Sequence, residues 1–115
     1  MKLVNLRNDS IIAEQINPAY QFFKRLQGLM FTKKLDVGVG LHIKPCRSIH
    51  TFFMNYTIDV LYLNESNVVV AIDESLEPGK VGKLYSDAHS VVELPSGTVQ
   101  ETGIKVGDEL LFQTA

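Results

Sequence analysis

Three runs decide the architecture: Ile49-His50-Thr51-Phe52-Phe53-Met54, Ile58-Asp59-Val60-Leu61-Tyr62-Leu63 and Val68-Val69-Val70-Ala71-Ile72. Each is short and mostly apolar, aromatic or β-branched, and turn residues such as Asn64-Glu65-Ser66-Asn67 separate them. Such runs of about four to eight residues read as strands, because a helix needs roughly ten or more. The block at 58–63 carries one polar residue, so at least one strand is expected to be buried on both sheet faces. Together the three read as a meander.

Working outward, Gly38-Val39-Gly40-Leu41-His42-Ile43 alternates and stops at Pro45, whose missing N–H closes a ladder or marks an edge. Residues 2–6 and 11–13 flank Asn8-Asp9-Ser10 and read as a β-hairpin. One helix signal follows. Asn17 suits the cap, Pro18 the first helical position and Gly28 the left-handed position after the end. Phe22, Phe23 and Leu26 fall at helical spacing on one face of this helix of about ten residues. Downstream, Glu77-Pro78-Gly79-Lys80 breaks the pattern and residues 88–94 form another strand. Residues 98–102 read as a helical turn stopped by Gly103, and Val106-Gly107-Asp108 turns into a last strand at 109–112.

About eight short strands with one short helix define an all-β chain, a β-sandwich or small barrel rather than a βαβ fold. The 115 residues fit a single domain spanning 1–115. Apolar residues at 45% and charged residues at 21% supply an ordinary core and surface. A net charge of −2, with eleven scattered Lys and Arg, argues against a nucleic-acid partner. No stretch approaches a secretory h-region or the roughly 18 apolar residues of a membrane span, so no membrane partner is expected. A cytoplasmic address follows, and the lone Cys46 agrees with it. That single cysteine also excludes a multi-cysteine zinc site within the chain.

In order along the chain stand Gly28-Leu29-Met30-Phe31, Gly38-Val39-Gly40-Leu41, Pro45-Cys46, Ile49-His50-Thr51-Phe52-Phe53-Met54 and Ile58-Asp59-Val60. Val92-Glu93-Leu94-Pro95-Ser96-Gly97 and Ile104-Lys105-Val106-Gly107-Asp108 complete the series. In this the chain resembles the bacterial and archaeal family known as domain of unknown function 192, over roughly residues 12–112. The resemblance implies a compact β-sandwich or barrel that is jelly-roll-like. It implies no catalytic residue, because the family has no established activity. Many relatives place an arginine after the methionine, where this chain has Asn55, and an aromatic or basic residue near Pro78, where it has Gly79-Lys80.

Within the segment 45–59, Cys46 and His50 could form a thiolate–imidazole pair. On a regular strand, positions four apart stand roughly 13 Å apart, so they meet only if the chain turns at Cys46-Arg47-Ser48. His50, His89 and His42, with Asp59 or Glu93, are the candidate metal ligands, although no close-spaced pair such as His-x-His occurs. Asp59, set among apolar residues, must either line a pocket or be braced by donors such as Arg25, Arg47 or Lys44. Phe52 and Met54 would share a strand face with His50, with core on both faces as the expected arrangement. The preferred reading is a non-enzymatic accessory domain that binds a small ligand or a protein partner through His50, Asp59, Met54, Cys46 and His89. No cofactor is implied. The alternative is a small enzyme that uses Cys46 and His50 as a thiol centre, or His50 and His89 around a metal.

Overall fold

Hydrophobic alternation and strand pairing put Ser90–Pro95 at the middle of the larger of two sheets in a computed structural model of the chain. Described are residues 1–30 and 32–114, without the side chains of Phe22, Phe23 and Leu26, so the expected apolar helix face lies outside them. In chain order the elements are β1 (Lys2–Asn5), β2 (Ile11–Ala13), β3 (Gln15–Ala19), α1 (Phe22–Gln27) and β4 (Val39–Ile43). There follow β5 (Ile58–Leu63), β6 (Val69–Leu76), β7 (Ser90–Pro95), α2 (Thr98–Thr102) and β8 (Leu110–Gln113). The sheets run β2-β1-β8 and β3-β4-β7-β5-β6. The chain is mostly strand, an all-β-like single domain. Among the described residues, no helix is long and apolar enough to cross a membrane.

In the larger sheet Leu61 pairs with Val92, and His42 pairs with Val92 from the other side, so these side chains share a face. That face carries Ile16, Leu61, Leu63, Val92 and Leu94, which pack on Leu3, Ile12 and Leu110 of the smaller sheet and on Val99 beside them. The opposite face carries Ile58, Val60, Tyr62 and Val91. Loops cover it: Leu29, Ile49, Met54 and Ala88 complete a second apolar cluster there. β5 is buried at all six positions, as its unbroken apolar run predicts.

Four expectations need correction. Asn17 and Pro18 do not start the helix; they lie in β3, where Pro18 pairs with His42. β3 is an edge strand, and an edge tolerates a residue with no N–H to donate. The helix begins at Phe22, after Gln21, and keeps only six residues before Gly28 ends it at φ 52°. β3 and β4 are parallel, so α1 is the crossover between them and one βαβ unit sits at the sheet edge. The expected meander keeps only its antiparallel β5–β6 pair, because β7, and not the run at 49–54, lies on the other side of β5. Finally, residues 49–54 form no strand; His50 makes a single bridge to Val81, and a turn follows it.

Gly40 shows how closely β3, β4 and β7 approach. A Cβ there would stand 2.8 Å from Leu94 Cδ2, 2.9 Å from Ile16 Cδ1 and 3.0 Å from the Glu93 carbonyl oxygen. Gly40→Ala is therefore expected to destabilise the fold by about 1–3 kcal/mol through overpacking. The measurement is urea denaturation, with a lower midpoint at unchanged slope; an unchanged midpoint contradicts the packing described.

Candidate functional site

The loop after β4 holds its shape by hydrogen bonds to other loops rather than by a sheet ladder. Cys46 N–H donates to the His89 carbonyl (2.9 Å), and Gly82 N–H donates to the Ile49 carbonyl (2.8 Å). Thr51 is fully buried and does the most. Its N–H donates to the Lys80 carbonyl (2.7 Å), and its hydroxyl donates to the Glu77 carbonyl (2.6 Å) and accepts from Lys80 N–H (2.8 Å). Its own carbonyl accepts from Gly79 N–H (2.9 Å) and from Met54 N–H (3.2 Å). The run at 49–54 is thus clasped to the segment at 77–82.

This clasp overturns the expected alternation of faces. Phe53 takes φ 64°, a left-handed conformation that a bulky residue rarely adopts. Ile49 and Met54 are buried, whereas Phe52 and Phe53 remain 43% and 67% exposed, so the run is not core on both faces. Asn55 Nδ2 donates to the Thr32 carbonyl (2.7 Å), and the Thr32 and Tyr56 hydroxyls meet at 2.6 Å. These contacts fix the chain that follows α1 beside the same loop.

Between the end of α1, this loop and the loop-covered face of the larger sheet lies a cavity of about 180 Å³. Arg25, Gly28 and Met30 line it from the helix side, Cys46, His50 and Met54 from the loop, and Glu93 from β7. Glu93 is only 3% exposed, and its Oε2 has no hydrogen-bond partner among the described residues. Burial pushes its carboxyl up to about 7, because the ionised form loses hydration that nothing replaces. Burial also raises the Cys46 thiol, which donates to the Ser48 carbonyl (3.0 Å). His50 is exposed, with its ring 5.3 Å from that of Phe52.

The cavity therefore brings together Cys46, His50 and Met54 of the expected site residues, and leaves out Asp59 and His89. Asp59 lies on the opposite face of β5 from this cavity's wall and is 1% exposed. It accepts three backbone N–H bonds, from Ser75 (2.9 Å), Gly97 (3.1 Å) and Val99 (2.9 Å). It braces the start of α2, and backbone donors take the role expected of Arg25, Arg47 or Lys44. His89 borders a separate polar depression with Arg47, Asn64 and Asp87. The His50–His89 metal pair is thus not assembled, and no cluster of three His, Cys, Asp or Glu side chains suited to a metal occurs among the described residues. Nor is Cys46 primed by His50: its thiol donates to Ser48 and its pKa moves upward. Sequence reasoning named Glu93 only as a candidate metal ligand and not as a cavity group, although a lone carboxylate inside Val91-Val92-Glu93-Leu94 was the available signal.

Over residues 4–112 the chain matches DUF192, domain of unknown function 192, described as an uncharacterized ACR. The chain belongs to this family. A relative named UPF0127 protein from Thermococcus sibiricus is 30% identical over 113 residues, covering 94% of this chain and 72% of the relative. Another from Pyrococcus furiosus is 32% identical over 111 residues, covering 94% and 95%. Among solved structures, a protein of unknown function from Novosphingobium aromaticivorans superposes with a TM-score of 0.82 at 18% identity, covering 96% of this chain and 82% of its own. A protein from Sinorhizobium meliloti, described as a candidate transcription regulator, gives 0.77 at 21% identity, covering 96% and 89%. At such identities these two establish a shared fold. No specific function attaches to the family. Four of the sequence words that carry the resemblance, around Gly28, Cys46, His50 and Glu93, meet at the cavity although they span much of the chain.

Two buried titratable groups give opposing pH dependences. Glu93 binds its proton more tightly in the fold than its ordinary value of 4.5 allows, so stability falls as pH rises from about 4.5 to about 7. His42, packed on Phe112 and joined to the Tyr20 hydroxyl, is pushed down to about 4 by burial, so stability falls as pH drops from about 6.5 to 4. Each shift corresponds to about 3 kcal/mol, and the two slopes nearly cancel between them. Glu93→Gln should uncover a melting temperature that falls steadily below pH 6.5, and His42→Gln one that falls from pH 4.5 to 7. Parallel profiles for both variants and the parent would contradict these assignments. Asp59→Ala should cost about 3 kcal/mol in chemical denaturation by stranding buried N–H groups, with Asp59→Asn intermediate.

Proposed function

We propose that this chain is a non-enzymatic binding domain that holds a small ligand in the cavity beneath α1. The observation that carries this reading is convergence: four of the segments that carry the family resemblance, far apart in sequence, share one cavity. Its size supports the reading too, since an engineered apolar cavity of about 150 Å³ accommodates benzene and this one measures about 180 Å³. The walls are mostly apolar, from Leu29, Ile43, Ile49 and Met54, with a few polar groups set among them. Exposed Phe52 and Phe53 lie two and three residues after His50, and the Phe52 ring stands 5.3 Å from the His50 ring. Asp59 and His89, lying elsewhere, have no part in this ligand site. The free thiol of Cys46 fits a reducing compartment, which supports a cytoplasmic address for this binding.

Binding is favoured over thiol catalysis because an activated cysteine needs a lowered pKa, and burial here does the reverse. Cys46 is the sole cysteine, so its alkylation reports the cavity without ambiguity. Iodoacetamide should react at pH 7 several-fold more slowly than with a free cysteine peptide, the rate climbing as pH rises above 9. A cavity ligand found in a fragment screen should slow it at least tenfold further. Alkylation faster than that of the free peptide at pH 7 would favour the enzyme instead. A charge-diverse fragment library that leaves the amide signals of Gly28, His50 and Glu93 unmoved would remove the binding reading.

A further inference from the structure

Glu93 sets the chemistry that a cavity ligand must bring. An ionised carboxylate offers acceptors only, and its Oε2 is buried without a donor among the described residues. Gly28 leaves the space beside it open: a Cβ there would lie 3.6 Å from Oε2 and 3.7 Å from Oε1, and its φ of 52° disfavours any side chain. Leu29, Ile43 and Met54 on the neighbouring walls offer no donor, and the donor side chains that also line the cavity, Arg25, Gln27, Ser48 and His50, make no hydrogen bond to Oε2. A ligand in the gap can supply the donor that these side chains do not.

We propose that the cavity takes a small organic monoamine, bound as its ammonium ion against the Glu93 carboxylate. This deepens the binding reading above and rests on it. A cationic donor outranks a neutral one because a buried carboxylate is costly unless its charge is matched, and charge-assisted bonds are about twice as strong as neutral ones. The other polar groups at the cavity define the rest of the ligand. Arg25 from α1 lines the same space, so a second positive charge on the ligand is disfavoured. Cys46 and Tyr56, the other titratable groups that bear on Glu93, are both raised by burial and stay neutral near pH 7. The apolar walls and the volume fit a branched aliphatic body of about six heavy atoms.

The proton balance is explicit. A protonated Glu93 that receives R–NH₃⁺ releases its own proton to solvent, leaving the carboxylate paired with the ammonium ion. With Glu93 at about 7, close to half a proton per site should leave at pH 7, and more at pH 6.

Three probes of matched shape test the proposal: isobutylamine, isobutyramide and isobutyrate. Each is titrated into the full chain while the amide signals of Gly28, His50 and Glu93 are followed by NMR. Calorimetry in two buffers of different ionisation enthalpy counts the protons. The amine should bind at least tenfold more tightly than the amide or the acid, with net proton release. Glu93→Gln should cut amine affinity at least tenfold and leave amide affinity unchanged. If that variant fails to fold, proton release by the parent chain still decides the matter. The amide or acid binding as tightly as the amine, or amine binding without proton release, overturns the amine assignment and leaves a ligand cavity. Failure of every probe and of the wider fragment screen overturns the binding reading as well.

Discussion

The constraint on which the rest depends is that β7 is a central strand with both faces covered. It pairs with β4 on one side and β5 on the other, and residues 90–94 are all buried. Strand alternation sends Val92 and Leu94 into the core between the sheets, and Val91 and Glu93 towards the loops. A one-residue slip of β7 would exchange these sets and drive the Glu93 carboxyl into the dry inter-sheet core. Register and the placement of Glu93 are therefore one decision. The cavity exists because the covering on that side is made of loops, which leave a gap beside the carboxyl.

Those loops hold together through side chains acting where a ladder would otherwise act. Thr51 joins its own loop to the segment at 77–82, and Asn55 and Tyr56 tie down the chain after α1 through Thr32. Asp108 does similar work elsewhere. It accepts from Arg7 Nε (2.7 Å), Asn5 Nδ2 (2.8 Å) and Lys105 N–H (2.9 Å), binding the turn before β8 to the end of β1. The bond from Arg7 holds its carboxyl down at about 2. Asp59 completes the series at the start of α2. Two buried acids, Asp59 and Asp108, are thus spent on architecture, each with several donors. Glu93 differs from both: it is buried to the same degree, yet its Oε2 has no donor among the described residues.

What could be read from sequence divides along local and non-local lines. β5, the first hairpin, α2 with Gly103 after it, and β8 all carry their signals within a few residues, and the structure has them there. Pro18 shows the limit of local rules, since a helix start and an edge strand both tolerate a missing N–H. Only the pairing of β3 with β4 separates the two. The 49–54 run failed for a related reason. Its composition favours a strand, but Thr51 finds its partners about 26–29 residues away in the chain, and those bonds fold the run into a turn. The candidate site was half legible. Cys46, His50 and Met54 share a local segment, whereas Glu93 joins them only through the order of strands in the sheet.

The same electrostatics that single out Glu93 also separate holding a ligand from attacking one. Glu93 is among the groups that raise the Cys46 thiol, because two negative charges in one low-dielectric cavity repel. Ionising either group makes the other harder to ionise. A thiolate nucleophile at Cys46 would need Glu93 neutral, and a cation bound at Glu93 needs Glu93 charged. The cavity can support one anion at a time. Desolvation moves both pKa values upward, but it leaves the carboxyl near 7, where a matching positive charge can tip it. It takes the thiol further from ionisation at neutral pH. The arrangement therefore suits a site whose one negative charge is only partly present near pH 7 and becomes complete when a ligand arrives to neutralise it.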